Sequence, residues 1–448
     1  MSLREFLDKL EQAGRLVRIP RQVDPYLEMA RLINALDGQP VLFERVRGSE
    51  FRVVSGICSR REFFALDLGV PPDRLLFELA QAFARPAPPP LVAAGPCQEV
   101  VERQVDLNRL PILTHMPADG GPYITSGVAV IQDPDFGRNV SYHRLMQLDE
   151  RRFTARIVEG RGTHTAMGKV SGDLEIAICL GVSIPVLLAA AMSPPKGVDE
   201  LGIAHALRST PLVRCLTKNL TVPADAEVVL EGRITRRLAD EGPFLDLTET
   251  WDVVRRQPVI EIDCVTHRRR PIYHALLPGK LEHKALMGMP REPGIYAAVS
   301  QVCDCRNVSI TPGGMSWLHA VVQIHKRRAD DGRRAIEAAF EGHGSLKHVV
   351  VVDKDVNPFD PHDVEWAIAT RFQADRDLMV FEDQPSSSLD PSASQEPGQK
   401  ARTAKMGLDA TIPWHTHRGG ARSEEERLAF HRVSYEPLEI DGYLVKES

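Results

Sequence analysis

Val222-Pro223-Ala224-Asp225-Ala226-Glu227-Val228-Val229-Leu230-Glu231-Gly232 sets the character of the middle of this chain. Glu227–Leu230 is a short β-rich run, and Glu231 after three apolar residues marks a strand end. Similar runs recur at Ser126–Ile131, Phe153–Val158, Leu174–Leu180, Val186–Ala190 and Val259–Val265, with Gly and Pro punctuating the series. Short strands separated by turn residues predict a mixed or antiparallel sheet, or a barrel, over residues 106–295.

The flanks differ. Before this region, Ser2 and Glu5 form a capping box ahead of Leu3, Phe6, Leu7 and Leu10, which share one helical face. Asp24-Pro25 starts a second helix through Leu36; Val41–Phe43 and Phe51–Val54 read as strands, and Leu75–Ala84 as a helix. Residues 1–105 are therefore a small α/β domain that ends in a linker stiffened by Arg85-Pro86-Ala87-Pro88-Pro89-Pro90. Residues 296–448 alternate: strand Trp317–Ile324, helix Asp330–Phe340, strand His348–Val352, a helix capped by Asp360-Pro361 through Thr370, and strand Leu378–Phe381. That order predicts a parallel, doubly wound layer. Gln384–Lys400 is low in complexity and reads as a loop, and Ser423–Phe430 as a helix leading into a tail. The fold class is α/β and multi-domain.

Composition narrows the function. At roughly 100–200 residues per domain, 448 residues predict two to four domains. A net charge of −6 offers no basic excess for nucleic acid. The strongest apolar run, Ile184–Met192, is far short of the ~20 residues of a membrane span. The chain opens on a helix start rather than a signal peptide, and its seven cysteines are odd in number and irregularly spaced. Both features predict reduced thiols in a cytoplasmic protein. A phosphate-binding P-loop, a dinucleotide fingerprint, a His-Glu-x-x-His helix and a Gly-x-Ser-x-Gly elbow are all absent.

Four polar clusters lie near Gly, Pro or element ends, where functional groups concentrate. They are Arg138-Asn139-Val140-Ser141-Tyr142-His143-Arg144; Glu159-Gly160-Arg161-Gly162-Thr163-His164; Glu227–Gly232 followed by Glu241-Gly242-Pro243-Phe244; and Leu276-Leu277-Pro278-Gly279-Lys280-Leu281-Glu282-His283-Lys284. Singly, each has an ordinary reading: Asn-x-Ser caps a turn, and a lone histidine is a hydrogen-bonded surface residue. Together, and in this order, they resemble the UbiD-type decarboxylases. Asp353-Lys354-Asp355-Val356-Asn357 and Thr403–Thr411 extend the resemblance over nearly the whole chain.

The resemblance implies reversible, non-oxidative loss of CO2 from an α,β-unsaturated or (hetero)aromatic carboxylic acid. It implies prenylated FMN made by a separate flavin prenyltransferase, a central split β-barrel of flavin-reductase type, and a divalent metal (Mn2+ or Mg2+), often with K+ nearby. Carried over by position, Asn139, His164 and Glu231 are the metal ligands, and amide, imidazole and carboxylate donors form a mostly hard set. Ser141, Arg161 and Lys405 lie at the cofactor. Arg144 sits at the flavin's reactive edge and orients the substrate carboxylate. Glu282 is the proton donor, expected in a pocket of Leu276, Leu277 and Leu281 that holds it protonated. The family also implies a C-terminal domain that dimerises, giving a homodimer or homohexamer. One departure is plain: no acid precedes Glu282 to pair with Arg144, which leaves Asp246, Glu249 or His283 for that role. Two other readings compete: a metal-dependent hydrolase with Glu282 as base, and a non-catalytic flavin-binding assembly protein.

Overall fold

A computed structural model of the chain describes residues 1–394, 399, 401–436 and 438. The Ser2–Glu5 capping box forms and starts helix Leu3–Gln12, whose Leu3, Phe6, Leu7 and Leu10 are buried. Strand Val17–Val23 runs parallel to Val41–Val46, which pairs antiparallel with Arg52–Ser55. The fourth strand of this sheet comes from far along the chain: Ile272–His274 pairs in parallel with Arg52, Val53 and Val54. Arg4 of the first helix also makes a bidentate bond to buried Glu227 in the middle of the chain, at 2.7 and 2.8 Å. The N-terminal unit is therefore built into its neighbour.

The central region is a nine-stranded sheet. Its strands trace an open path from Tyr123–Ile124 at one end to Gly137–Tyr142 at the other, through the long pair Arg255–His267 and Val228–Glu241. Side chains alternate between two cores. Val130, Val140, Ala177 and Val229 face one of them, and Ala129, Ile131, Ile178 and Leu230 face the other.

Val186–Ala190, expected as a strand, lies instead within helix Ile184–Ala191, every residue of which is buried. A continuous apolar run looks the same for a core strand and a core helix. Pro185 in the first turn and three alanines at the end favour the helix.

The C-terminal sheet has five strands in the order Asp304–Ile310, His319–His325, His348–Asp353, Arg402–Asp409 and Leu378–Pro385. The inner three are parallel, and helices Asp331–Gly342 and Pro361–Arg371 cover opposite faces. The expected doubly wound layer is thus present at the centre, while both outer strands run antiparallel, Leu378–Pro385 among them. Strands Asp304–Ile310 and Arg402–Asp409 were not expected. Of the low-complexity stretch Gln384–Lys400, residues 395–398 and 400 lie outside the described residues. So do 437 and 439–448 of the tail beyond helix Glu424–Leu428.

Candidate active site

Glu282 opens helix Leu281–Gly288 and is buried. Its surroundings differ from the leucine pocket that was expected. Oε2 accepts from the Gly56 amide at 2.7 Å and from the Ser55 hydroxyl at 3.3 Å, and Oε1 accepts from the Cys58 amide at 3.0 Å. Nε2 of His274 lies 3.1 Å from Oε1. The Nδ1 of His274 is buried with no partner, so only the Nε2–H tautomer serves a carboxylate here. The pairing of Ile272–His274 with Arg52–Ser55 brings these groups together. Gly56 makes the loop possible: its φ is +79°, and a Cβ there would lie 2.2 Å from the Gln39 carbonyl oxygen.

Arg144 is crowded by acids. Glu241 holds it bidentately, through Nε and Nη2 at 2.9 Å each, Asp246 takes Nη1 at 2.6 Å, and Asp252 takes Nη2 at 2.7 Å. The guanidinium lies 4.7 Å over the Phe244 ring. Burial pushes the Asp252 carboxyl up, but Arg144 and Arg255 outweigh it and hold the group below its ordinary range. Of the three partners expected for Arg144, Asp246 is present. Glu249 bonds Lys284 at 3.0 Å instead, and His283 accepts the Gly279 amide through Nδ1. Glu241 stands in the quoted Glu-Gly-Pro-Phe cluster, yet its role was not read from it.

Beside Arg144, the His143 Nε2 bonds the Thr163 hydroxyl at 2.9 Å, tying this strand to helix Gly162–Lys169. Burial pushes His143 down to about 4, so the ring is a neutral tie. Asn139 faces the start of that helix, and a Cβ on Gly162 would sit 2.6 Å from its Oδ1. Its Nδ2 donates to Glu200 Oε1 at 3.1 Å, and the edge amide of Val140 donates to Glu200 Oε2 at 3.0 Å. Burial pushes the Glu200 carboxyl up to about 7, against those hydrogen bonds. Sequence reasoning missed Glu200; its only signal was an acid at a helix start, after Asp199.

The structure does not bring Glu231 to Asn139. Register pairs Glu231 with Ala177, Ala177 with Val130, and Val130 with Val140, so Glu231 shares a sheet face with Val140. Asn139, one residue away, points to the opposite face. Three strand spacings of ~4.8 Å add roughly 14 Å. Glu231 is spent locally, accepting the Leu216 and Thr217 amides at 2.8 and 2.6 Å. His164 is exposed on its helix, and its Nδ1 accepts the Gly160 amide. Among the described residues no three His, Cys, Asp or Glu side chains gather as a ligand cluster.

Ser141 lies on the same strand as Asn139, opposite Ala129. Arg161 and Lys405 meet across a cavity of about 700 Å³, with Arg291, Trp317 and His343 among its other walls. Lys405 donates to the Gly344 carbonyl at 2.7 Å. The seven cysteines are all free, and among the described residues no helix is long and apolar enough to cross a membrane.

Three family descriptions match in series. They are the N-terminal domain of 3-octaprenyl-4-hydroxybenzoate carboxy-lyase over residues 7–83, its Rift-related domain over 91–281, and its C-terminal domain over 284–410. The anhydromevalonate phosphate decarboxylase of Methanosarcina mazei is 42% identical over 416 residues, covering 92% of this chain and 96% of the relative. The structure of the UbiD-class enzyme HmfF from Pelotomaculum thermopropionicum in complex with FMN superposes with a TM-score of 0.91 at 41% identity, over 99% of this chain and 100% of that one. An evolved dimeric form of HmfF, in complex with prenylated FMN, gives a TM-score of 0.88 at 40% identity, over 99% and 100%. The order of the polar clusters, the mixed α/β architecture and these matches agree, and the chain belongs to the UbiD family of carboxy-lyases.

Proposed function

We propose that the chain catalyses reversible, non-oxidative decarboxylation of an α,β-unsaturated or (hetero)aromatic acid, with Glu282 as proton donor and prenylated FMN as cofactor. The observation that carries this reading is the cavity lined by Arg161, Arg291 and Lys405 in a chain of the carboxy-lyase family. The four donors around buried Glu282 favour its ionised form, so it acts as donor only after taking up a proton.

Arg161 and Lys405, which line the cavity, suit a flavin phosphate. Asn139 and Glu200 supply two hard oxygen donors at one sheet edge, and they take the place first given to Asn139 with Glu231. His164, carried over by the resemblance, lies half a helical turn from Gly162 and would join the proposed set only through a shift of the start of helix Gly162–Lys169. Arg161, Lys405 and Ser141 face the phosphate. Mn2+ or Mg2+ suits such ligands, with K+ as a neighbour. The cofactor, when bound, supplies the electron sink for the carbon that loses CO2.

The chain's residues do the rest. The substrate carboxylate approaches Arg144, where Glu241, Asp246 and Asp252 already occupy four N–H groups. Asp246 and Asp252 are the partners that must yield, because Glu241 is fully buried and bidentate. Glu282 delivers the proton that replaces CO2. To carry it, Oε2 must gain a hydrogen, and the Ser55 hydroxyl beside it can turn from donor to acceptor. His274 holds the other oxygen in place. A hydrolase built on Asn139, His164 and Glu231 finds no support in a sheet that sets Glu231 on the other face. The family context supports a cytoplasmic homodimer or homohexamer supplied by a flavin prenyltransferase.

Coexpression with a flavin prenyltransferase tests this. The expected outcome is a purified protein that absorbs in the near-ultraviolet and visible and releases CO2 from unsaturated or heteroaromatic acids. Glu282→Gln is expected to keep the absorbance and lose ~10²–10⁴-fold in turnover. A colourless protein, or full turnover in the variant, overturns the assignment.

A further inference from the structure

Three side chains of the C-terminal sheet stand in one row. Register pairs His319 with His348 and His348 with Met406, so they lie side by side on one face, on strands ~4.8 Å apart. Two positions further along each strand, Val321, Val350 and Leu408 pack into the core of that face, while the row itself is half-buried. Lys405 lines the cavity from the opposite face, so the row is separate from the site described above. Thr311 and Val380 flank the row on the outer strands. It offers two imidazoles and a thioether, and no acid or thiol.

The two rings are set up as ligands. Nδ1 of His319 lies 2.9 Å from the Thr311 hydroxyl. When Nδ1–H donates to that oxygen, Nε2 keeps its lone pair, which is how an outer partner orients a metal-bound histidine. The ring of His348 makes no hydrogen bond among the described residues. Burial pushes His319 down to about 4, with His348 adding to the effect, and burial and Lys347 push His348 down as well. Both rings are therefore neutral at pH 7, as a ligand has to be.

Spacing and charge select the ion. The ring centroids are 6.3 Å apart. A ring nitrogen binds a metal at ~2.0–2.1 Å, which sets each centroid ~3.2 Å from it. Two imidazoles on nearly opposite sides of one ion meet the observed spacing, whereas a tetrahedral pair needs ~5.2 Å. Near-linear binding with a thioether alongside suits monovalent copper, and zinc prefers the tetrahedron. The row supplies no negative charge to offset a dication, and the ammonium of Lys347 stands beside His348, paired with Asp390 at 3.0 Å. We infer that His319, His348 and Met406 form a binding site for monovalent copper on the C-terminal domain. The site does not depend on the decarboxylation reading.

The test titrates cuprous ion anaerobically into the purified full-length protein against bathocuproine disulfonate, with X-ray absorption at the copper edge. Wild type is expected to hold one copper per chain, with two imidazole nitrogens and one sulfur around it. Loss of an outer partner costs ~10–100-fold in metal affinity, so Thr311→Val should fall in that range and His348→Gln at or beyond its upper end. Met406→Leu should weaken copper ~tenfold and remove the sulfur signal, and zinc should bind wild type at least ~tenfold more weakly than copper. Cys215→Ser with Cys303→Ser, the two half-buried thiols, should change nothing. Equal copper affinity in wild type and His348→Gln overturns the inference. So does loss of copper from the cysteine variant, which would assign the metal to thiols. Zinc bound as tightly as copper, with Met406→Leu unchanged, would also overturn the copper assignment. If the variants fail to fold by circular dichroism, the wild-type spectrum decides, and fewer than two imidazole nitrogens at the copper is fatal.

Discussion

Two regions of the molecule hold arginine in opposite ways. Arg144 is saturated by three carboxylates and an aromatic face, while Arg291, among the described residues, has an aromatic face and no carboxylate. Both are enclosed, so burial does not distinguish them; the acids around them do. One region carries surplus negative charge that holds its guanidinium in place. The other gathers Arg291, Arg161 and Lys405 around the ring of His343, which burial and those cations hold neutral. The job of an enclosed arginine is therefore read from its counter-ions rather than from its exposure.

The comparison breaks most visibly at Arg144. Arg144→Ala would leave Glu241, Asp246 and Asp252 facing one another, and removing one partner of a buried ion pair costs about 3–5 kcal/mol. We expect a large fall in Tm for Arg144→Ala, read by thermal unfolding, and a smaller one for Arg291→Gln. Equal falls would erase the distinction between the two regions.

Glu200 sharpens it. If the cation-rich region needs this acid for its metal, Glu200→Gln should lower manganese affinity at least about a hundredfold, measured by titration of the dialysed protein. Glu231→Gln should leave manganese affinity unchanged and lower Tm only, because the amide group that replaces one carboxylate oxygen leaves one of the Leu216 and Thr217 amides without its acceptor. The reverse result would restore Glu231 as ligand.

Asp67 supplies a limiting case, a buried acid with neither carboxylate oxygen partnered. Burial pushes it up to about 6. The folded state therefore holds a proton that the unfolded chain releases near pH 4, and stability is lost as pH rises from about 4 through 6. Asp67→Asn should gain about 1–2 kcal/mol above pH 6, less than the shift itself allows because the amide stays unpaired. Thermal scans at pH 4 and pH 7 check the sign: the gain should vanish at the lower pH.

Much of this was legible in the residues. The capping box at Ser2, most strand runs of the middle and two of the three inner parallel strands of the last domain, His319–His325 and His348–Asp353, follow from local periodicity, which a sequence carries directly. The order of the polar clusters carried the family. What failed was whatever depends on three-dimensional pairing. Spacing cannot say which sheet face Glu231 takes, because that follows from register across three strands. Glu241 reaches Arg144 from 97 positions away in the chain. Half of the cradle of Glu282 is backbone amide, from Gly56 and Cys58, and every residue except proline carries one, so no side-chain pattern announces that half. Val186–Ala190 failed for a simpler reason, since uniform apolarity has no period to read.

The strand Ile272–His274 has a consequence for anyone exchanging modules between relatives. A chimera that imports a foreign first domain but keeps the host's residues 272–274 would graft a mismatched seam directly against buried Glu282. A compatible transplant has to carry that three-residue ribbon along with residues 1–83, although the two lie nearly two hundred positions apart.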